Sequence, residues 1–485
     1  MADADATRAS MKRVLACLLL CSALLPLARC ASQHASDVQV TPPAPRLAAS
    51  DEQVLALADI HLDPFDRHEI VDQLAQAPVE RWASIFHQGM HAAHLSSYGH
   101  DANGALFLSG IDEMRRSVPH PRFLLLAGDL LAHNFYQRFV WAASKNDAVS
   151  YRRFVDKTVR FIFYELTQAY PHTQIFPTIG NNDGYCGDYA STPHDAYLAR
   201  QALLWAPLVD PQHRFADIPT TIARGGYYRA STASGLRIIS LNSVYLSQNY
   251  QNRCGIASEQ PAQSELAWLR SLWASTPAAP TIVLTHIPVG IDGFKTFFQP
   301  GFPVSLWRPE YQAAFLPQVN TPAHHVTALF TGHLHDLGYR QSDAGGGENR
   351  PLVVLPSLSP IFGNSPAFSE VWFSRQGAID DLRVHRFEAP LHGAPRWQTT
   401  LDFRQRYHLP ALTARSIAAL QRTAARNADL RLQLQRDSVG NAPALALTTL
   451  DWRASWCTSV ALTAQTYLRC LRAVRSSGKP VPSQR

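Results

Sequence analysis

Five short apolar runs in this chain end on Asp, Asn or His, and that recurrence restricts the fold more than any other feature. Ala58-Asp59-Ile60-His61 closes the run at 54–58, and Gly128-Asp129 closes 123–127. Gly180-Asn181-Asn182-Asp183 closes 175–179, His286 closes 281–285, and Gly332-His333-Leu334-His335 follows 326–330. Further runs lie at 236–241, 352–355, 371–373 and 379–384. Their length and β-branched content read as buried strands. Between them Tyr151, Phe154, Val155, Val159, Ile162, Phe163 and Leu166 recur at helical spacing, as do Leu266, Leu269 and Leu272. Strands alternating with helices predict a layered α/β fold. After about residue 390 the pattern turns to helical stretches near 411–436 and 454–474, a smaller helical C-terminal region.

Strand ends at one edge of a sheet converge in space. Carboxylate, amide and imidazole groups gathered there can hold two divalent ions, and the mixed oxygen and nitrogen donors suit zinc, manganese or iron better than calcium. The D-x-H and H-x-H spacings put both side chains on one side of a strand or tight turn. Glycine before Asp129, Asn181 and His333 permits sharp turns and close backbone approach. Any one piece is common, and a lone strand-end His is more often structural. Five in this order point to a metal site made by Asp59, His61, Asp129, Asn181, His286, His333 and His335.

The ordered set D-x-H, G-D, G-N-[HN]-[DE], strand-end His and G-H-x-H resembles the signature of the calcineurin-like metallophosphoesterases. More narrowly, the chain is similar to their acid sphingomyelinase-like phosphodiesterase branch. The residues that carry this are 59–65, Gly128 to His133, Leu241-Asn242-Ser243, the segment 356–368, and Trp456-Cys457 with Tyr467 to Cys470. The resemblance spans roughly residues 50–475. It implies a layered β-sandwich flanked by helices and a disulfide near the C-terminus. It also implies one metal on Asp59, His61, Asp129 and His335, and a second on Asp129, Asn181, His286 and His333, with Asp129 shared. The implied reaction is hydrolysis of a phosphodiester or related ester by a metal-bridging hydroxide. No G-x-S-x-G and no P-loop are present.

Proton delivery to the leaving group is where the chain departs from that pattern. Many relatives have His directly after the metal-binding Asn; here it is Asn182, which can donate a hydrogen bond but cannot transfer a proton as imidazolium does. His133 is the other candidate, for phosphate contact or proton donation, against a purely structural role holding the Asp129 loop. Gly-Asn-Asn-Asp also resembles fungal vacuolar endopolyphosphatases, so polyphosphate or nucleotide anhydrides are the alternative substrates. A metal-bound protein with little catalysis is the reading from another class, with Asn182 as the mark of lost activity.

Lys12-Arg13 and the apolar run 14–28 read as an export signal (residues 1–31), followed by a Pro-rich linker at 32–50. A retained anchor and lipidation at Cys30 are the competing readings; Arg29 argues against lipidation. Domains are expected at 51–388 (catalytic) and 389–485 (helical). Only the short linker at 32–50, which has no cysteine, is expected between the signal and the catalytic part, so no saposin-like module is expected, which favours a soluble or head-group substrate over sphingomyelin. An exported chain has a periplasmic or secreted destination, where Cys186, Cys254, Cys457 and Cys470 would form disulfides, with three pairings open. Residues 389–485 hold 14 Lys+Arg against 4 Asp+Glu, leaving about −4 on the rest of a chain at +6. That basic excess reads as a solvated helix face, or as a surface for peripheral anionic contact. No nucleic-acid-binding motif is found, and the expected partner is a small phosphate ester. His87, His91 and His94 read as a solvent-facing or cleft-lining helix, and Trp307, Phe294, Phe297 and Phe298 as a substrate wall or ordinary packing.

Overall fold

Fourteen strands form among the described residues of the computed structural model, which are 52–88, 95–255, 260–299, 301–343, 348–388, 394–440 and 452–476. They are β1 (Glu52–Leu57), β2 (Leu62–Asp63), β3 (Ala102–Asn103), β4 (Phe123–Leu126), β5 (Gln174–Pro177), β6 (Tyr228–Ser231) and β7 (Arg237–Ser240), then β8 (Thr281–Leu284), β9 (Val326–Thr331), β10 (Gly338–Gln341), β11 (Pro351–Val354), β12 (Ala367–Phe373), β13 (Ile379–Glu388) and β14 (Arg396–Asp402). The expected signal and linker, and His91 and His94, lie outside the described residues. All described residues fall in one unit, Ala44–Arg485.

Two six-stranded sheets carry the fold, in the orders β14-β13-β12-β1-β4-β5 and β10-β11-β9-β8-β7-β6. In the first, β1, β4 and β5 are parallel neighbours; in the second, β7, β8 and β9 are. Side chains alternate across the second sheet, as a pleat requires. Ile238, Ile282, Leu284 and Phe330 face a core shared with Leu124, Val371 and Leu382 of the first sheet. Ile239, Val283, Leu329 and Val354 face outward onto Leu266, Leu269 and Phe315 of helices. The result is a β-sandwich flanked by helices, the mixed α/β fold expected.

The expected helix at 151–166 is the centre of Ala148–Ala169, started by the Asp147 carboxylate accepting from Val149 N and Ser150 N. Its apolar positions are buried. The C-terminal region is helical but differs in detail. The expected boundary at 388/389 falls inside a hairpin, because β14 pairs antiparallel with β13. This edge strand, Arg396-Trp397-Gln398-Thr399-Thr400-Leu401-Asp402, has almost no apolar run to announce it. Each long helical stretch is also two helices, Ala414–Arg426 with Ala428–Val439 and Trp452–Val460 with Ala464–Ser476. Asn427 caps the second of these, accepting from Leu430 N, and Thr463 caps the fourth, accepting from Thr466 N. No helix among the described residues is long and apolar enough to cross a membrane.

Candidate metal centre

The polar groups that follow β1, β4, β5, β8 and β9 meet at one end of the sandwich. Three come from adjacent parallel strands of the first sheet and two from adjacent parallel strands of the second. Sharp turns aim them. Asp59, His61, Asp129, His333 and His335 all have left-handed backbone, with φ of 51°, 43°, 54°, 73° and 59°. Each such non-glycine residue costs about 1–3 kcal/mol and persists only where its surroundings hold it. Here the two turns brace each other: Asp59 N donates to Gly128 O at 3.0 Å and His61 N to Asp129 O at 2.9 Å. Gly180 has no room for a side chain, since a Cβ there would sit on the backbone nitrogen and carboxylate of Asp129.

The candidate donor atoms converge. His61 Nδ1 bonds Leu131 O at 2.9 Å and His286 Nδ1 bonds Ala127 O at 2.7 Å. A carbonyl only accepts, so both Nδ1 atoms carry the proton and both Nε2 atoms offer a lone pair when the rings are neutral. His286 Nε2 then faces Asn181 Oδ1 at 2.9 Å and Asp129 Oδ2 at 3.2 Å. Asn181 is held in that orientation because its Nδ2 donates to Asp188 Oδ1 at 2.7 Å. His61 Nε2 faces His335 Nε2 at 3.1 Å and Asp129 Oδ2 at 3.4 Å, and His335 Nε2 lies 3.6 Å from Asp59 Oδ1. Acceptors packed against acceptors repel unless a proton or a cation lies between them. A backbone carbonyl on the far nitrogen of a ligating His is the usual support of a metal site.

Electrostatics agree. Burial drives His61 down to about 4 and His333 to about 3, and holds His335 well below the ordinary range, so these rings are neutral as ligation requires. Burial also pushes Asp59 up to about 8, with the neighbouring Asp129 charge adding to it. Burial opposes ionisation of Asp129 too, but His286 and His61 hold its carboxyl well below the usual value. His286 rises to about 9 because Asp129 outweighs its burial. Among the candidate ligands the opposite charges thus fall on Asp129 and His286, and a divalent cation would take the place of the His286 proton and favour the ionised form of Asp59. The donor set fits divalent metal, in groupings Asp59-His61-Asp129 and Asp129-His286-His333. All seven expected ligand residues are brought together.

His133 and Asn182 lie beside them, in different roles. Asn182 is buried and committed to Asp129: its backbone N donates to Oδ1 at 2.7 Å and its Nδ2 to Oδ2 at 2.9 Å. His133 stacks on His61 at 4.1 Å, and its Nδ1 meets Asp101 Oδ1 at 3.0 Å. Burial works against the His133 cation, yet the hydrogen bond and charge of Asp101 raise its pKa above the ordinary value. The exposed ring of Phe362 stands edge-on to both His133 and His335.

Several supporting residues are not visible as motifs. Asp101 also accepts from His133 N at 2.8 Å and Ser359 Oγ at 3.1 Å. Asp183 accepts from the backbone nitrogens of Asp129, Leu130, Leu131 and Gly180, so one buried carboxylate holds two ligand turns. Ser243 Oγ accepts from His286 N and Ile287 N, and Tyr189 OH lies 3.3 Å from His333 Nε2. Leu241-Asn242-Ser243 and Asp183 stood within quoted motifs, whereas nothing local marked Asp101 or Tyr189. Trp307 is no substrate wall: it is fully buried in the second core, with Nε1 donating to Ile287 O at 2.8 Å. Phe294 and Phe298 are exposed.

Disulfides join Cys186 to Cys254 and Cys457 to Cys470. The first pins the loop bearing Asp188 and Tyr189, which support Asn181 and His333. Replacing both Cys186 and Cys254 by Ser should cost about 2–5 kcal/mol of stability and also weaken metal binding. Replacing Cys457 and Cys470 should lower stability alone. Thermal melts paired with metal titration check this, and equal metal affinity in both double variants would refute it.

No family model matches the chain. It is 28% identical over 317 residues to "Sphingomyelinase phosphodiesterase D" of Dictyostelium discoideum, covering 63% of this chain and 66% of that protein, just under two thirds of its length. It is 25% identical to "Cyclic GMP-AMP phosphodiesterase SMPDL3A" of Mus musculus, covering 75% and 78%. It is 22% identical to "Acid sphingomyelinase-like phosphodiesterase 3b" of Homo sapiens, covering 88% and 91%. The curated homologues of this chain are therefore acid sphingomyelinase-like phosphodiesterases, as the motifs implied. With the Asp/His cluster, they support a metal-dependent phosphoester hydrolase.

Proposed function

We propose that this homologue of the acid sphingomyelinase-like phosphodiesterases hydrolyses phosphodiester bonds with two divalent ions. Asp59, His61, Asp129 and His335 hold one ion; Asp129, Asn181, His286 and His333 hold the other; zinc is the preferred metal, with manganese or iron as alternatives. The carrying observation is the convergence of buried donor atoms on one carboxylate, with His286 Nε2 3.2 Å and His61 Nε2 3.4 Å from Asp129 Oδ2, Asn181 Oδ1 2.9 Å from His286 Nε2 and His335 Nε2 3.1 Å from His61 Nε2. When bound, such ions lower the pKa of water and neutralise charge on phosphate oxygens.

The chain's own residues do the rest. Asp183, Asn182 and the paired turns fix the Asp129 carboxylate, so little reorganisation is needed when phosphate arrives. His133, oriented by Asp101, whose hydrogen bond and charge favour its protonated form, is the group able to give a proton to a leaving oxygen. Asn182 cannot supply one, which favours good leaving groups and keeps phosphoanhydrides, including nucleotide anhydrides, as the second reading.

The deciding experiment combines metal analysis with hydrolysis of bis-p-nitrophenyl phosphate. The expected result is two bound divalent ions and turnover that chelator abolishes and added metal restores. A folded, two-metal protein that turns over neither diesters, nucleotides nor polyphosphate would overturn the hydrolase reading in favour of a binding role.

A further inference from the structure

The helix Pro261–Ser275 lays Ala262, Leu266, Leu269 and Leu272 into the core on the outer side of the second sheet. Glu265 stands within that apolar stripe, one turn before Leu269, and is fully buried. Helical periodicity asks for a hydrocarbon side chain at this position. Burial pushes the Glu265 carboxyl well above the usual carboxylate range, against the Asn242 N–H that favours its charged form. Its Oε2 has no hydrogen-bond partner among the described residues. A buried polar atom left unpaired carries a desolvation cost, so an acid in this stripe calls for a specific bond that offsets it.

That bond goes to the turn after β7. Glu265 Oε1 accepts from Asn242 N at 2.6 Å, and Asn242 Nδ2 donates to Gly225 O at 3.0 Å. The next residue, Ser243, is fully buried, and its Oγ accepts from His286 N at 3.2 Å and Ile287 N at 2.8 Å. His286 is therefore held at two points. Its ring is tied to the end of β4 through Ala127 O, and its backbone to the turn after β7 through Ser243. Glu265 stands behind the second point, on a helix that supplies none of the seven candidate ligands. Without it the Asn242 N–H would be a buried donor lacking its partner.

We infer that Glu265 is a positioning residue for His286, acting through the Asn242–Ser243 turn, and that it sets how tightly the ion on His286 is held, which rests on the two-ion reading above. An apolar side chain of similar size would satisfy the packing of this stripe. What Glu265 adds is an acceptor at Asn242 N. Glutamine carries the same Oε1 on the same frame, whereas leucine and methionine fill the space without an oxygen. Loss of a group that orients a ligating residue weakens metal affinity by roughly 10–100-fold.

The test is zinc titration of the metal-free full chain by calorimetry. Glu265→Gln should bind both ions as the wild type does. Glu265→Leu and Glu265→Met should each weaken one ion by roughly 10–100-fold and leave the other unchanged. Ser243→Ala should weaken the same ion, and the double variant Glu265→Leu/Ser243→Ala should lose less than the sum, since both cut one chain of contacts. Leu269→Ala, on the same helix face, should lower the melting temperature and leave both affinities unchanged. Wild-type affinities in the Leu and Met variants, additive losses in the double variant, or an equal loss in Leu269→Ala would each overturn the positioning role. The His286 Nδ1–H signal of the metal-free protein, read by NMR on nitrogen-labelled histidine, gives an independent measure. It should move in Glu265→Leu and Ser243→Ala and hold in Glu265→Gln and Leu269→Ala. That pattern in a chain that takes up no zinc upholds the positioning of His286 and overturns the two-ion reading. A signal unmoved in Glu265→Leu overturns the positioning role whatever the zinc content.

Discussion

The Asp129→Asn variant should lose bis-p-nitrophenyl phosphate hydrolysis by at least about 10²–10³-fold and lose bound metal with it, while remaining folded. Asp129 Oδ2 lies 3.2 Å from His286 Nε2 and 3.4 Å from His61 Nε2, so this one carboxylate faces both halves of the ligand set. An amide in its place removes the negative charge at the point where two cations would otherwise repel each other. It also sets an NH₂ group against a donor of Asn182, which now gives both its backbone and side-chain hydrogens to Asp129. The turn itself should persist, because Asp183 grips its backbone at residues 129–131 independently of the side chain. Metal analysis, circular dichroism and turnover on one preparation check this. Wild-type metal content with activity within tenfold would show that Asp129 is not the shared ligand.

The candidate ligands were legible because their placement is written along the chain. A buried strand must be apolar until it leaves the core, so Asp59, Asp129, Asn181, His286 and His333 each stand out against the run before them. Sheet order was not legible, since β12 returns from far along the sequence to pair with β1, and no local signal fixes which runs become neighbours. The supports were less legible than the ligands for the same reason. Asp101 acts on His133 across 32 residues and Asp183 on Asp129 across 54, both from loops without periodicity. Trp307 and Phe294 look alike as aromatic residues near His286, yet one is fully buried and the other exposed. Only packing of the helix Pro309–Asn320 against Trp307 separates them, through Phe315 at 5.0 Å.

His133 should divide substrates by their leaving groups. In His133→Gln, kcat/KM for alkyl phosphodiesters should fall by about 10²–10⁴-fold, while aryl diesters, whose anions leave unaided, should change little. The pH dependence carries its own sign. A proton donor works in its charged form, so activity is lost as pH rises through its pKa, and Asp101 holds that pKa above the ordinary imidazole value. Asp101→Asn removes the support, so the alkaline limb should move to lower pH, and in His133→Gln that limb should vanish for alkyl substrates. Asn182→His supplies the missing imidazole but takes away the Nδ2 bond to Asp129. It should raise the alkyl-to-aryl rate ratio even where the overall rate falls. Rates independent of leaving-group pKa in wild type and all three variants would remove proton donation from His133 and leave it only the structural task of tying the Asp129 loop to Asp101.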